Sequence, residues 1–440
     1  MNENDARRRL VRAALLAVAA GAAGCGLPGR LAVIPAIQGR VEPLRGFEDV
    51  RAVDGYASDE FQRSFDRAVE RFAATPLPAD GRRDFDMLVL SSGGVNGAFG
   101  AGILTAWTER GDRPLFWTVT GVSVGALLAP FAFAGPEYDD RIERLFRFLE
   151  PKDLHRDKGV LASVLWDESL TDNTALRKTI RREVDASLLQ AVAQRHAEGR
   201  RCWVGSANLD LGHFCVWDLG AIAARGTPEA LELFRNVLIA SAAIPVIYPP
   251  VRFGDEERNE LHVDGAVVRP LFIPQNIFDG ELSAERAGLA WDDVDATLYV
   301  VQNGSLRPCP VEVQRETLAI ATRTLTMMSY TMVSEHVLHL YLLAQAWEAN
   351  FRFHALPDGL ELEIDSFGRE DTNRLYLLGR GLMERREPWR ETPPGYVLRA
   401  DLNRTQVATE TPERGVADRL DSMEREIRAL RDELREALGK

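Results

Sequence analysis

Residues 86–92 read DMLVLSS, a short apolar run, followed by the turn GGVNG and by AFGAGILTAW, a stretch of small and apolar residues of helical length. That order predicts strand, glycine-rich turn and helix. The next segment repeats it, with FWTVT at 116–120, then GVSVG, then ALLAPFAFAG. Successive units of this kind predict a parallel sheet with helices on its faces. Reactive groups in such sheets gather at the carboxyl ends of the strands, which is where both turns fall.

The pattern continues on either side. FQRSFDRAVERF at 61–72 is amphipathic and predicts a helix packed on the domain. A charged helical region runs to about residue 200, then RCWVGSANLDLGHFCVWDL predicts a hairpin turning at Asp210-Leu211-Gly212. After it come a helix in EALELFRNVLIASAAIPVIYPP, a short strand opening into a turn in LHVDGAVVRPLF, and a strand in ATLYVVQNG at 296–304. A long helix is expected from Val311 to about Phe351. Near the end, Val416, Leu420, Met423, Ile427, Leu430, Leu434 and Ala437 recur in steps of four and three among charged residues. That spacing is a heptad seam, so a coiled-coil helix over 412–438 and a homo-oligomer formed through it are expected.

Composition narrows the function. A formal net charge of -13 with no basic stripe beyond the first dozen residues argues against nucleic acid as a partner. Those first residues carry Arg7, Arg8, Arg9 and Arg12 ahead of the apolar run ALLAVAAGAAG, the pattern of a secretory signal. The run is far shorter than the roughly 20 residues of a membrane-spanning helix. Ala22-Ala23-Gly24-Cys25 resembles a bacterial lipobox, which implies lipidation of Cys25, and Gly26 after it implies outer-membrane sorting. The expected location is therefore the periplasmic side of a bacterial envelope, with a lipid anchor holding the chain at a membrane surface. Cys202, Cys215 and Cys309 remain; the hairpin places the first two out of register, so they are expected to be unpaired. No cysteine or histidine spacing suggests a metal, and no cofactor motif is complete.

The candidate chemistry lies in the two turns. Gly121-Val122-Ser123-Val124-Gly125 between a strand and a helix has the form of a nucleophile elbow, in which Gly121 and Gly125 relieve crowding around an exposed serine. Gly93, Gly94 and Gly97, with Val95 and Asn96 between them, offer backbone N–H groups for an oxyanion. A phosphate loop fits poorly, because Ser92-Gly93-Gly94-Val95-Asn96-Gly97 lacks the first glycine of GxGxxG and the lysine of a P-loop. Asp264, directly after a predicted strand and followed by Gly265 and Ala266, is the candidate base. His262, two residues earlier, leaves a histidine-based triad as the alternative.

Taken together, the glycine-rich turn at 92–97, the GxSxG elbow at 121–125, the Asp264-Gly265-Ala266 motif and Ala240-Ser241-Ala242-Ala243-Ile244-Pro245 make the chain resemble the patatin-like phospholipases. The resemblance implies a three-layer α/β/α fold with a mainly parallel central sheet. It also implies a Ser123/Asp264 dyad in which Asp264 accepts the Ser123 proton, an acyl-enzyme, and a lipid or acyl-ester substrate. The expected organisation is a signal peptide at 1–25, a tether and helix at 26–85, the catalytic domain at 86–280, an extension packed on it at 281–400, and the coiled-coil helix. A free aspartate has a pKa near 3.9, so desolvation of Asp264 is expected. Ser92 and Asn96 stand where the family usually has a glycine and a basic residue; the Asn96 amide is expected to donate in its place. The other readings are a carboxylesterase or thioesterase for soluble acyl substrates and a noncatalytic envelope scaffold.

Overall fold

The computed structural model describes residues 44–79, 81–154, 156–157, 171–255, 259–360, 362 and 367–394. The chain divides into two units, Met1–Pro393 and Pro394–Lys440. The heptad seam of the second unit lies outside the described residues, as do the signal-like segment and Cys25.

Nine strands form one sheet: β1 (Arg51–Val53), β2 (Arg83–Leu90), β3 (Thr118–Val122), β4 (Arg201–Asn208), β5 (His213–Asp218), β6 (Val251–Gly254), β7 (Asn259–Asp264), β8 (Val294–Gln302) and β9 (Asn350–Ala355). Their order is β1-β5-β4-β3-β2-β8-β9, with β7 pairing with both β4 and β6. The five strands from β4 to β9 in that order are mutually parallel. The pairings of β5, β7 and β6 are antiparallel. Met87, Leu88, Val89 and Leu90 are all buried, as a parallel strand covered on both faces requires.

Helices cover both faces. Against Leu88, Leu90, Val119 and Val204 lies the larger core, built with α2 (Gly97–Arg110), α3 (Val124–Ala134), α4 (Asp139–Phe146), α5 (Thr174–Glu183), α6 (Ala186–Ala197), α7 (Leu219–Ala223), α8 (Pro228–Ser241) and α11 (Arg369–Met383). The opposite face, presenting Met87, Trp203 and Leu298, is covered by α1 (Asp59–Ala73), α9 (Gly280–Ala287) and α10 (Thr317–Ala346). The helix expected over 311–351 is shorter at both ends. Residues 311–316 are non-helical, Trp347 caps the helix, and Phe351 belongs to β9, where its ring packs 5.2 Å from Tyr341 of α10. β8 and β9, from the region beyond residue 280, are thus strands of the central sheet. Cys202 and Cys215 are buried free thiols, Cys215 facing Ser206 across the hairpin; Cys309 is free and exposed.

Candidate active site

Sheet register brings the two candidate side chains, Ser123 and Asp264, together. β3 ends with Val122 beside Gly205 of β4, and β7, running the other way, ends with Asp264 beside Ser206 of the same strand. The carboxyl ends of β3 and β7 therefore meet at adjacent residues of β4. Ser123 Oγ donates a 2.6 Å hydrogen bond to Asp264 Oδ2 although 141 residues separate them.

The elbow is a strained turn. Ser123 sits at φ 56° and ψ -123°, a conformation that L residues rarely adopt. The chain can turn so sharply because a Cβ on Gly121 would come within 2.3 Å of the Gly125 carbonyl oxygen, and one on Gly125 within 2.2 Å of the Leu90 carbonyl oxygen. Only glycine fits either place. The serine is the N-cap of α3, so its oxygen lies at the positive end of a helix dipole. Its own N–H donates to Ser241 Oγ at 2.9 Å, and Ser241 Oγ donates to the Gly205 carbonyl at 2.6 Å. Ser241 thus ties the elbow to β4. The sequence marked its motif but not this role, which depends on where α8 ends in space.

Asp264 is 3% exposed, and burial pushes its carboxyl up to about 7, against the opposing hydrogen bonds from Ser123 and from the Ala266 N–H at 2.8 Å to Oδ1. Both carboxylate oxygens thus have partners. His262 is turned away from this pair: Nδ1 lies 2.9 Å from Ser206 Oγ and Nε2 3.3 Å from Glu260 Oε2. Trp217 Nε1 donates to the same Ser206 oxygen, and Arg51 and Asn208 donate to Glu260. This buried polar cluster beneath the site was missed in the sequence, because Arg51 and Glu260 lie 209 residues apart.

In the glycine-rich turn, Gly93 has φ 155° and Gly94 φ 56°. Gly94 and Val95 line a cleft of about 50 Å³ together with Ser123. Apart from the Tyr248 hydroxyl the remaining wall is apolar, with Leu127, Phe146, Leu149, Leu176 and Ile244 among its side chains. The other residues of the turn are occupied elsewhere. A Cβ on Gly93 would meet the Asn303 carbonyl oxygen at 1.9 Å, the Asn96 N–H bonds the Gly93 carbonyl, and the Gly97 N–H bonds the Gly94 carbonyl. The Asn96 side chain does not replace a basic group in the cleft. It is buried, donates to the Gly93 and Leu362 carbonyls, and accepts from the Leu362 N–H at 2.7 Å. An amide that both donates and accepts pairs with a backbone in a way that lysine or arginine does not.

No curated protein matches the chain. Among solved structures it is similar to VipD from Legionella pneumophila, at 12% identity and a TM-score of 0.28, covering 68% of this chain and 66% of that one. It is also similar to human GIVD cytosolic phospholipase A2, at 12% identity and a TM-score of 0.26, covering 71% of this chain and 53% of that one. Residues 88–277 match the family described as patatin-like phospholipase, so this span, which holds the glycine turn, the elbow, Ser241 and Asp264, is a patatin-like phospholipase domain.

Proposed function

We propose that the chain is a serine acyl hydrolase that releases fatty acids from phospholipids or other lipid acyl esters, with Ser123 as nucleophile and Asp264 as proton acceptor. The observation that carries this is the 2.6 Å bond from Ser123 Oγ, at the tip of a strained elbow, to a buried carboxylate. Ser123 Oγ attacks the ester carbonyl as its proton passes to Asp264 Oδ2. The oxyanion forms beside the Gly94 and Val95 N–H groups, which share the cleft with Ser123. Collapse breaks the ester bond, and the departing alkoxide takes the proton from Asp264. Water then attacks the acyl-serine, giving its proton to Asp264, and the acid leaves as Ser123 recovers its hydrogen.

Two features support a lipid substrate. The cleft wall is hydrocarbon apart from the Tyr248 hydroxyl and the serine. The second is α10, whose 30 residues span about 45 Å, against roughly 30 Å for the nine residues of β8 that precede it. Among the described side chains of α10 the first buried one is Val333, so its first half overhangs the sheet at its carboxyl edge. That half exposes Ile320, Leu325, Met327 and Met328 at 52, 66, 54 and 60%. An apolar overhang at the carboxyl edge of the sheet suits contact with a lipid surface, and lipidation of Cys25 would hold the chain there.

Fatty-acid release from phospholipid vesicles tests the proposal: Ser123→Ala and Asp264→Asn should each lose nearly all activity, and rates equal to the unaltered protein would overturn it. The cleft volume favours a second reading, since about 50 Å³ holds only a few carbons. If short soluble esters are the substrates, p-nitrophenyl butyrate will be turned over far faster than any vesicle lipid.

A further inference from the structure

A cavity larger than the Ser123 cleft lies elsewhere, between the sheet and the helices α1 and α9. It measures about 730 Å³ and shares no lining residue with the Ser123 cleft. Its floor is Phe85 and Met87 of β2, Thr118 of β3, Trp203 of β4 and Ala296 of β8. These residues share one face, because Ala296 pairs with Phe85 and Met87 with Thr118 across the ladders. α1 and α9 roof it, and Trp291 and Trp347 complete the wall. Protein interiors leave few voids larger than a water molecule, whereas pockets that take small molecules run to about 300–1,000 Å³.

The chemistry of the lining selects the ligand. Its body is aromatic: Phe65 stacks on Phe278 at 4.1 Å, and Trp203 lies 5.5 Å from Phe278. Among the described residues no lysine, arginine or histidine lines the cavity, while Asp59, Asp279 and Glu281 stand at its exposed end. An anionic head would therefore be repelled, and one with hydroxyl donors would be accepted. Trp203 is 3% exposed, and its indole N–H has no hydrogen-bond partner among the described residues. A ligand oxygen would relieve that buried unsatisfied donor.

We propose that this cavity is a second lipid site, for a single-chain neutral lipid of the monoacylglycerol type. Its chain lies among the aromatic residues, an ester oxygen accepts from Trp203, and the head hydroxyls donate to the acids at the rim. The site stands whether or not Ser123 is a nucleophile, so it is tested in Ser123→Ala protein, where the probe cannot be consumed by that serine. A monoacylglycerol with a dibrominated chain, added to this protein, should quench tryptophan fluorescence saturably through Trp203, Trp291 and Trp347. Ala296→Phe, which fills the floor, should weaken this at least tenfold. Ala284→Leu, on the roof, gives the same reading should the first variant fail to fold. Absence of saturable quenching, or equal quenching in the filled variants, overturns the site. Equal or tighter binding of the matching dibrominated fatty acid at pH 8 overturns the assignment of a neutral head.

Discussion

Ser123 occupies a backbone conformation that costs a non-glycine residue about 1–3 kcal/mol, and the surroundings that enforce it also aim its oxygen at Asp264. Ser123→Ala should lower ester hydrolysis by about three orders of magnitude or more while leaving stability within about 1 kcal/mol, since the Ser123 hydroxyl accepts no capping hydrogen bond from the helix. With the Asp264 carboxyl pushed up to about 7 by burial, kcat/KM should rise with pH and level off above that value, because only the carboxylate accepts a proton. The linkage to stability has the opposite sense. The folded state holds the Asp264 proton more tightly than the unfolded one, so its contribution is complete below about pH 4 and lost as pH rises through about 7. Asp264→Asn should therefore be inactive yet melt higher than the unaltered protein at pH 8, by about 1–4 kcal/mol; calorimetry at pH 5 and pH 8 would show the difference shrinking at the lower pH. The two turns and Asp264 were legible in the sequence because glycine spacing and a carboxylate after a strand are local signals. Asn96 was misread for the same reason: its partner, Leu362, is 266 residues away.

At the level of elements, the decisive feature is that two strands of opposite direction end side by side on β4. Periodicity identified β2, β3, β4, β5, β7 and β8 but not β1, β6 or β9, and it carries no register; the antiparallel placement of β7 against β4 comes from packing between distant segments. The edge strand β1 is bound to this arrangement by Arg51, whose guanidinium meets Glu260 at 2.7 Å with both side chains at most 2% exposed. Removing one partner of a buried pair strands the other charge, so Arg51→Met should cost about 3–5 kcal/mol in denaturant unfolding, and the double variant Arg51→Met/Glu260→Met should recover much of that loss. The fate of α10 also depended on neighbours. Its apolar run continues toward Phe351, yet the chain leaves the helix after Ala346 because β9 is needed beside β8. For the overhanging half, Leu325→Glu/Met328→Glu should lower the ratio of vesicle hydrolysis to short-ester hydrolysis about tenfold, as a charged face loses apolar contact with lipid.

On the scale of the whole molecule, under the proposed function the cleft, the overhanging helix and the proposed anchor would act on one variable, the local concentration of ester at Ser123. Four exposed apolar side chains on one short helical stretch give only reversible attachment, each fully buried aliphatic side chain contributing about 1.5–3 kcal/mol before ordering costs. A covalently attached lipid bearing more than one acyl chain adds roughly 0.8 kcal/mol per buried methylene and changes the regime from transient to stable. Cys25→Ser should therefore move the protein from the membrane fraction to the soluble fraction of fractionated cells. The purified variant should keep its short-ester activity, because no described residue of the cleft changes, while vesicle hydrolysis should fall in proportion to the bound fraction measured by flotation. The two losses separate cleanly: restoring contact by raising the vesicle concentration should recover the Cys25→Ser rate, whereas Ser123→Ala should stay inactive at every lipid concentration. A Cys25→Ser protein that remains with the membrane would instead assign attachment to the body of the molecule, with the α10 overhang as the first surface to test.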